Sequence, residues 1–147
     1  MLKIVGLILI ITASTLFGFF LSVKLKNRRL RLLKLCTFLE ELEMQIKSGA
    51  ELKNILLASG GDVVIYIEDF GVKVSPEHLL PKDIKLLENF FSGLGMGDTE
   101  SQIKRCSVYG LMLKNLEKSA AEQVNLKANL YQKLGFFAGL FVAVMFI

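Results

Sequence analysis

The chain has 147 residues, 52% of them hydrophobic, with a formal charge of +4 and a sequence pI near 9.1. That length fits one modest helical core and argues against a second folded unit, while a mean hydropathy of +0.49 exceeds what a soluble domain of this size usually shows. The basic balance does not point to nucleic acid: Lys24, Lys26, Arg28, Arg29, Arg31 and Lys34 crowd into one block, whereas residues 35–133 hold 11 Lys and Arg against 14 Asp and Glu, without a basic stripe and interleaved aromatics.

Ile4 to Val23 carries no charge, and twenty such residues make about 30 Å of helix, enough to cross a bilayer. The basic block beyond it reads as the cytoplasmic membrane surface, with the N-terminus outside. A cleavable signal peptide would place its charge before a shorter apolar stretch. Residues 1–23 are therefore expected as a transmembrane helix.

Leu32, Leu35, Cys36, Leu39, Leu42 and Ile46 fall on one helical face. Ser48 to Glu51 reads as a break followed by a capping box, and a short helix with Leu52, Ile55 and Leu56 inward is expected to end near Gly60 and Gly61. Asp62 to Val74 is rich in β-branched residues, but a lone strand cannot satisfy its backbone in a bundle, so a short helix is expected there. Pro76 and Pro81 bracket a turn, after which Ile84, Leu87, Phe90 and Phe91 give the next helix its apolar face.

Gly93 to Gly97 forms a glycine turn, and Asp98 or Thr99 caps a last helix more than thirty residues long, with Ile103, Cys106, Leu113, Leu116, Ala120, Val124 and Leu130 inward. It leads into a 14-residue apolar run, Leu134 to Ile147, about 21 Å of helix and expected as a second transmembrane segment. Gly135, Gly139 and Ala143 form a ridge of small residues matching Ser14, Gly18 and Ser22. The ridges predict either a hairpin within one chain, with Gly18 facing Gly139, or a contact between copies in a homo-oligomer. The expected fold is all-α: a cytoplasmic helical domain over residues 24–133, flanked by transmembrane helices at 1–23 and 134–147.

No catalytic set can be assembled. The glycine run follows a helix and lacks phosphate-loop spacing, His78 stands without ligand-spaced partners, and Cys36 and Cys106 sit seventy residues apart at apolar helical positions that suit buried, reduced thiols. No enzyme, metal or cofactor is expected.

The segment Leu39 to Leu56 (LEELEMQIKSGAELKNIL), the run Leu94 to Gln102 (LGMGDTESQ) and the closing Leu130 to Ile147 (LYQKLGFFAGLFVAVMFI), with the N-terminal span and its basic block, resemble the stage III sporulation protein AB family. The most specific matches are Leu94, Gly95, Asp98 and Gln102, and the pair Leu134 and Gly135. The resemblance implies a non-enzymatic platform in the mother-cell membrane around the forespore, its soluble part cytoplasmic, within a secretion-like channel complex. Its implied partners are the complex's ATPase and channel-ring proteins. The family's soluble part is similar to the cytoplasmic domain of type II secretion platform proteins, where a Gly and a following Leu, here Gly49 and Leu52, end one helix and start the next. A membrane-tethered adaptor or regulatory module is the alternative function.

Overall fold

A computed structural model describes residues 2–52, 54, 56, 64–67, 71–74 and 76–145. The elements are α1 (Leu2–Lys47), β1 (Val64–Ile67), β2 (Gly71–Val74), α2 (Pro81–Ser92), α3 (Thr99–Gln123), a π-helical turn (Val124–Ala128) and α4 (Asn129–Met145). The chain divides into two compact units, one made of Met1–Arg29 with Ser119–Ile147 and the other of Leu30–Lys118.

In the Leu30–Lys118 unit, Leu32, Leu35, Cys36, Leu39, Leu42 and Ile46 are all buried, because residues spaced three and four apart share one side of a helix. Phe38 extends that face and meets Phe91 of α2 at 6.4 Å between ring centroids. Phe90 packs edge-on to Phe91 at 5.0 Å and against Tyr109 of α3 at 5.3 Å. Cys106 and Leu113 complete the core from α3.

Helix α1 ends at a glycine cap. Gly49 has φ +81, and the N–H groups of Gly49 and Ala50 donate to the carbonyls of Ile46 and Gln45 at 3.1 Å each, the two bonds of a Schellman motif. Ser48 belongs to this ending: its Oγ donates to Gln45 O at 2.8 Å. The expected capping box with Glu51 does not form, since Glu51 instead accepts from Asn54 Nδ2 at 3.4 Å. Leu52, Asn54 and Leu56 are helical and Leu56 is buried; Ile55 and the expected helix end at Gly60 and Gly61 lie outside the described residues.

The short helix expected over Asp62 to Val74 is replaced by a hairpin. Strands β1 and β2 pair antiparallel with Val64 opposite Val74 and Ile67 opposite Gly71. The backbone argument against one lone strand does not apply to two, which satisfy each other and let the β-branched residues follow their preference. Pro81 then starts α2 at its first turn, and the buried Asp83 accepts the Leu80 N–H at 3.1 Å through Oδ2.

In the other unit, α1 and α4 approach closely at small residues. A methyl group added to Gly18 would lie 2.5 Å from Tyr131 O, and one added to Gly135 would lie 2.8 Å from Ser14 O. Ser14 Oγ donates to Gly135 O at 2.6 Å. Gly139 faces Ile11 and Ser14, so the register differs by one turn from the expected pairing of Gly18 with Gly139. Matching the two ridges residue for residue does not set this register. The closest backbone approach does, and it brings Gly18 against Gly135.

The two membrane spans are corrected. Among the described residues no helix is long and apolar enough to cross a membrane. The uncharged part of α1 ends at Lys24, and the same helix runs on through the basic block to Lys47. Helix α4 has 17 residues, Lys133 among them, short of the roughly 20 apolar residues a crossing needs. The transmembrane part of the expected fold, the mother-cell membrane location with a cytoplasmic domain, and the membrane platform and membrane-tethered adaptor that depended on it are overturned with these spans. An all-α bundle with a small β-hairpin stands in their place.

Candidate docking site

The two motif segments of the Leu30–Lys118 unit come together in space. Ile46, Gly49, Ala50 and Leu52 from the end of α1 and its sequel, and Gly97, Thr99 and Gln102 from the start of α3, line one solvent-open hollow of about 210 Å³. The glycine turn before α3 is compact because Gly95 and Gly97 adopt φ +87 and +104, a region that costs L-residues strain and glycine none. Gln102 is buried on the α3 face and turns back, its Oε1 accepting the Gly95 N–H at 3.1 Å. Leu94 donates its N–H to Phe91 O at 3.1 Å.

Asp98 is the residue before α3. Its carbonyl accepts the Gln102 N–H at 3.1 Å, and hydrogen bonds from the Ser101 side chain, with backbone N–H groups adding to them, hold its carboxyl below the usual carboxylate range. The expected choice between Asp98 and Thr99 resolves to Asp98. Gln102 closes the turn through its bond to Gly95.

Arg105 was not foreseen as part of this end of the unit. Its Nε donates to Phe90 O at 3.1 Å and its Nη2 to Asn89 O, so one guanidinium closes the carbonyl end of α2 while lying 5.2 Å over the Tyr109 ring. Gly93 makes room for it, because a Cβ there would run into the guanidinium. The sequence signal was an Arg on the α3 face one turn after Gln102, beside an aromatic four residues on.

The thiols sit apart from the hollow. Burial, reinforced by Glu117 and Glu40, pushes Cys36 up to about 11, and burial with Glu43 pushes Cys106 up to about 11. Both are free, and among the described residues no group of three or more His, Cys, Asp or Glu is placed to hold a metal ion. A smaller hollow of about 110 Å³ is lined by Leu39, Cys106, Gly110 and Leu111 beside the Lys114–Glu40 ion pair at 2.7 Å.

The basic block is not one surface. Lys24, Lys26, Arg29 and Lys34 are exposed and Arg31 is half-buried, but Arg28 is buried and donates through Nη1 to Gln123 Oε1 at 3.4 Å. Ser22, the third member of the first ridge, is buried with its hydroxyl unpartnered. The side chain of Ala143 lies outside the described residues.

The motif residues cap helices, close turns and border a hollow. The fold and this site define a helical protein whose motif residues border an open hollow. Over residues 3–61 and 68–147 the chain matches the family model described as Stage III sporulation protein AB, and it belongs to that family. Membership makes it a structural sporulation protein and not an enzyme, and ties it to a sporulation-related multiprotein assembly. No curated protein and no solved structure matches the chain.

Proposed function

We propose that the chain is a non-catalytic binding component of that assembly and that the hollow between Gly49 and Gln102 docks the assembly's ATPase. The observation that carries this reading is the meeting of Gly49 and Leu52 with Gly97 and Gln102, segments about fifty residues apart, around one open depression. Exposed Met96, three-quarters accessible, stands in the same glycine turn, and such a flexible thioether suits a contact surface. The channel-ring proteins are the second partner class of the reading.

Ala50 and Thr99 line the hollow and are exposed, so Ala50→Arg and Thr99→Arg fill it without disturbing the core. Co-purification of the full chain with the ATPase is expected to fall at least about tenfold in either variant, a loss of roughly 1.4 kcal/mol, with helical content and melting unchanged. Undiminished capture by both variants refutes docking at this hollow.

A further inference from the structure

The helix from Thr99 to Met145 has one irregular stretch, the π turn at Val124–Ala128. Residues on either side of it share one inward face. Ala120 and Ala128 are both 2% exposed, Gly139 is buried, and Gly135 lies in backbone contact range of Ser14 and Gly18. The step from Ala120 to Ala128 is eight residues, and from Ala128 to Gly135 seven. Two α turns take about 7.2 residues, so the seven-residue step is ordinary and the eight-residue step carries one residue too many. A π turn, with its i→i+5 bonding, takes up roughly one residue more than an α turn.

We infer that this π turn is a one-residue phase insertion, held in place by the glycine contacts downstream of it rather than by its own sequence. In an uninterrupted α-helix the seven-step from Ala120 would bring Lys127 inward, then Leu134 in place of Gly135. Both point away from the partner helix as the chain stands, Leu134 being 52% exposed. A leucine cannot replace Gly135, because even a methyl there would lie 2.8 Å from Ser14 O and 3.2 Å from Gly18 Cα. The chain therefore widens one turn and keeps Ala128 and Gly135 against α1. The insertion also explains why Leu130, inward by simple periodicity, is half exposed while Ala128 is buried.

The device is tested by changing the length of the turn and reading the register by disulfide formation. A Cβ on Gly139 would lie 3.1 Å from Ser14 Cβ, close to the 3.5–4.5 Å that a disulfide spans, so Ser14→Cys with Gly139→Cys is the reporter, in a full-length chain carrying Cys36→Ala and Cys106→Ala. Deleting Leu126, which is 74% exposed, turns the eight-step into a seven-step. Cross-linking and the melting midpoint are then expected to match the undeleted parent, with the turn now α-helical. Inserting one alanine after Leu126 makes a nine-step and rotates the glycines away, and the cross-linking rate is expected to fall at least about tenfold. The inference is overturned if the deletion abolishes cross-linking, or if the insertion leaves it unchanged.

Discussion

At the residue scale, burial and backbone proximity decide what each small or polar side chain is for. Gly18 and Gly6 lie on the same helix, yet a methyl on Gly18 meets Tyr131 O at 2.5 Å and one on Gly6 meets nothing within 4 Å. Gly18→Ala is therefore expected to destabilise by about 1–3 kcal/mol through overpacking, while Gly6→Ala is neutral or stabilises by up to about 1 kcal/mol through helix propensity; chemical denaturation of the two variants distinguishes them. The thiols give a second residue-scale expectation. With Cys36 and Cys106 pushed from 9.0 to about 11, their thiolate population at pH 8 is about 100-fold below that of an ordinary cysteine. Labelling by a thiol reagent should be slower by at least that factor in the native chain and should recover on unfolding.

At the element scale, the ends of helices are where this sequence specifies structure most sharply. Gly49 sits at φ +81 inside a Schellman motif, so Gly49→Ala is expected to cost about 1 kcal/mol by forcing an L-residue into the left-handed region. Its added methyl meets nothing within 4 Å, which makes the cost purely conformational, and Gly49→Asn should recover much of it. The Gly93 and Arg105 pair works differently. Gly93→Ala displaces the guanidinium from the carbonyls of Phe90 and Asn89, which keep the Gly93 N–H and the Ser92 hydroxyl as donors, and should destabilise by about 1.5–3 kcal/mol, the worth of a hydrogen bond from a charged group. In an Arg105→Ala background the same glycine change should cost much less, and a double-mutant cycle in urea measures that coupling.

At the scale of the whole molecule, stability should be bounded by pH on both sides. The Asp98 carboxyl is held below 3.8 in the fold, so its contribution is present above that value and is lost as pH falls through the lowered one. The thiols act in the opposite range: with folded values near 11 against 9.0 unfolded, their contribution is whole below pH 9 and drains away between 9 and 11. Melting midpoints from pH 2 to 11 should therefore fall at both ends. Asp98→Asn should flatten the acid limb and Cys36→Ala with Cys106→Ala the alkaline one.

The apolar face of α1 from Leu32 to Ile46 and the glycine turn before α3 were legible in the sequence, because each depends on spacing or on a residue type that only one backbone state accommodates. The run with Leu94, Gly95, Asp98 and Gln102 was equally legible as a turn before a helix, although not the way Gln102 folds back to Gly95. Pairing was not legible. Whether Val64 to Val74 forms strands depends on a second strand being present, and the register of Gly18 depends on which backbone atoms come closest. The length of uncharged sequence suggested spans that the described helices do not provide. The π turn shows the division best: local sequence sets a helix through Val124, but only the contact of Gly135 with Ser14 and Gly18 decides that one turn must hold an extra residue.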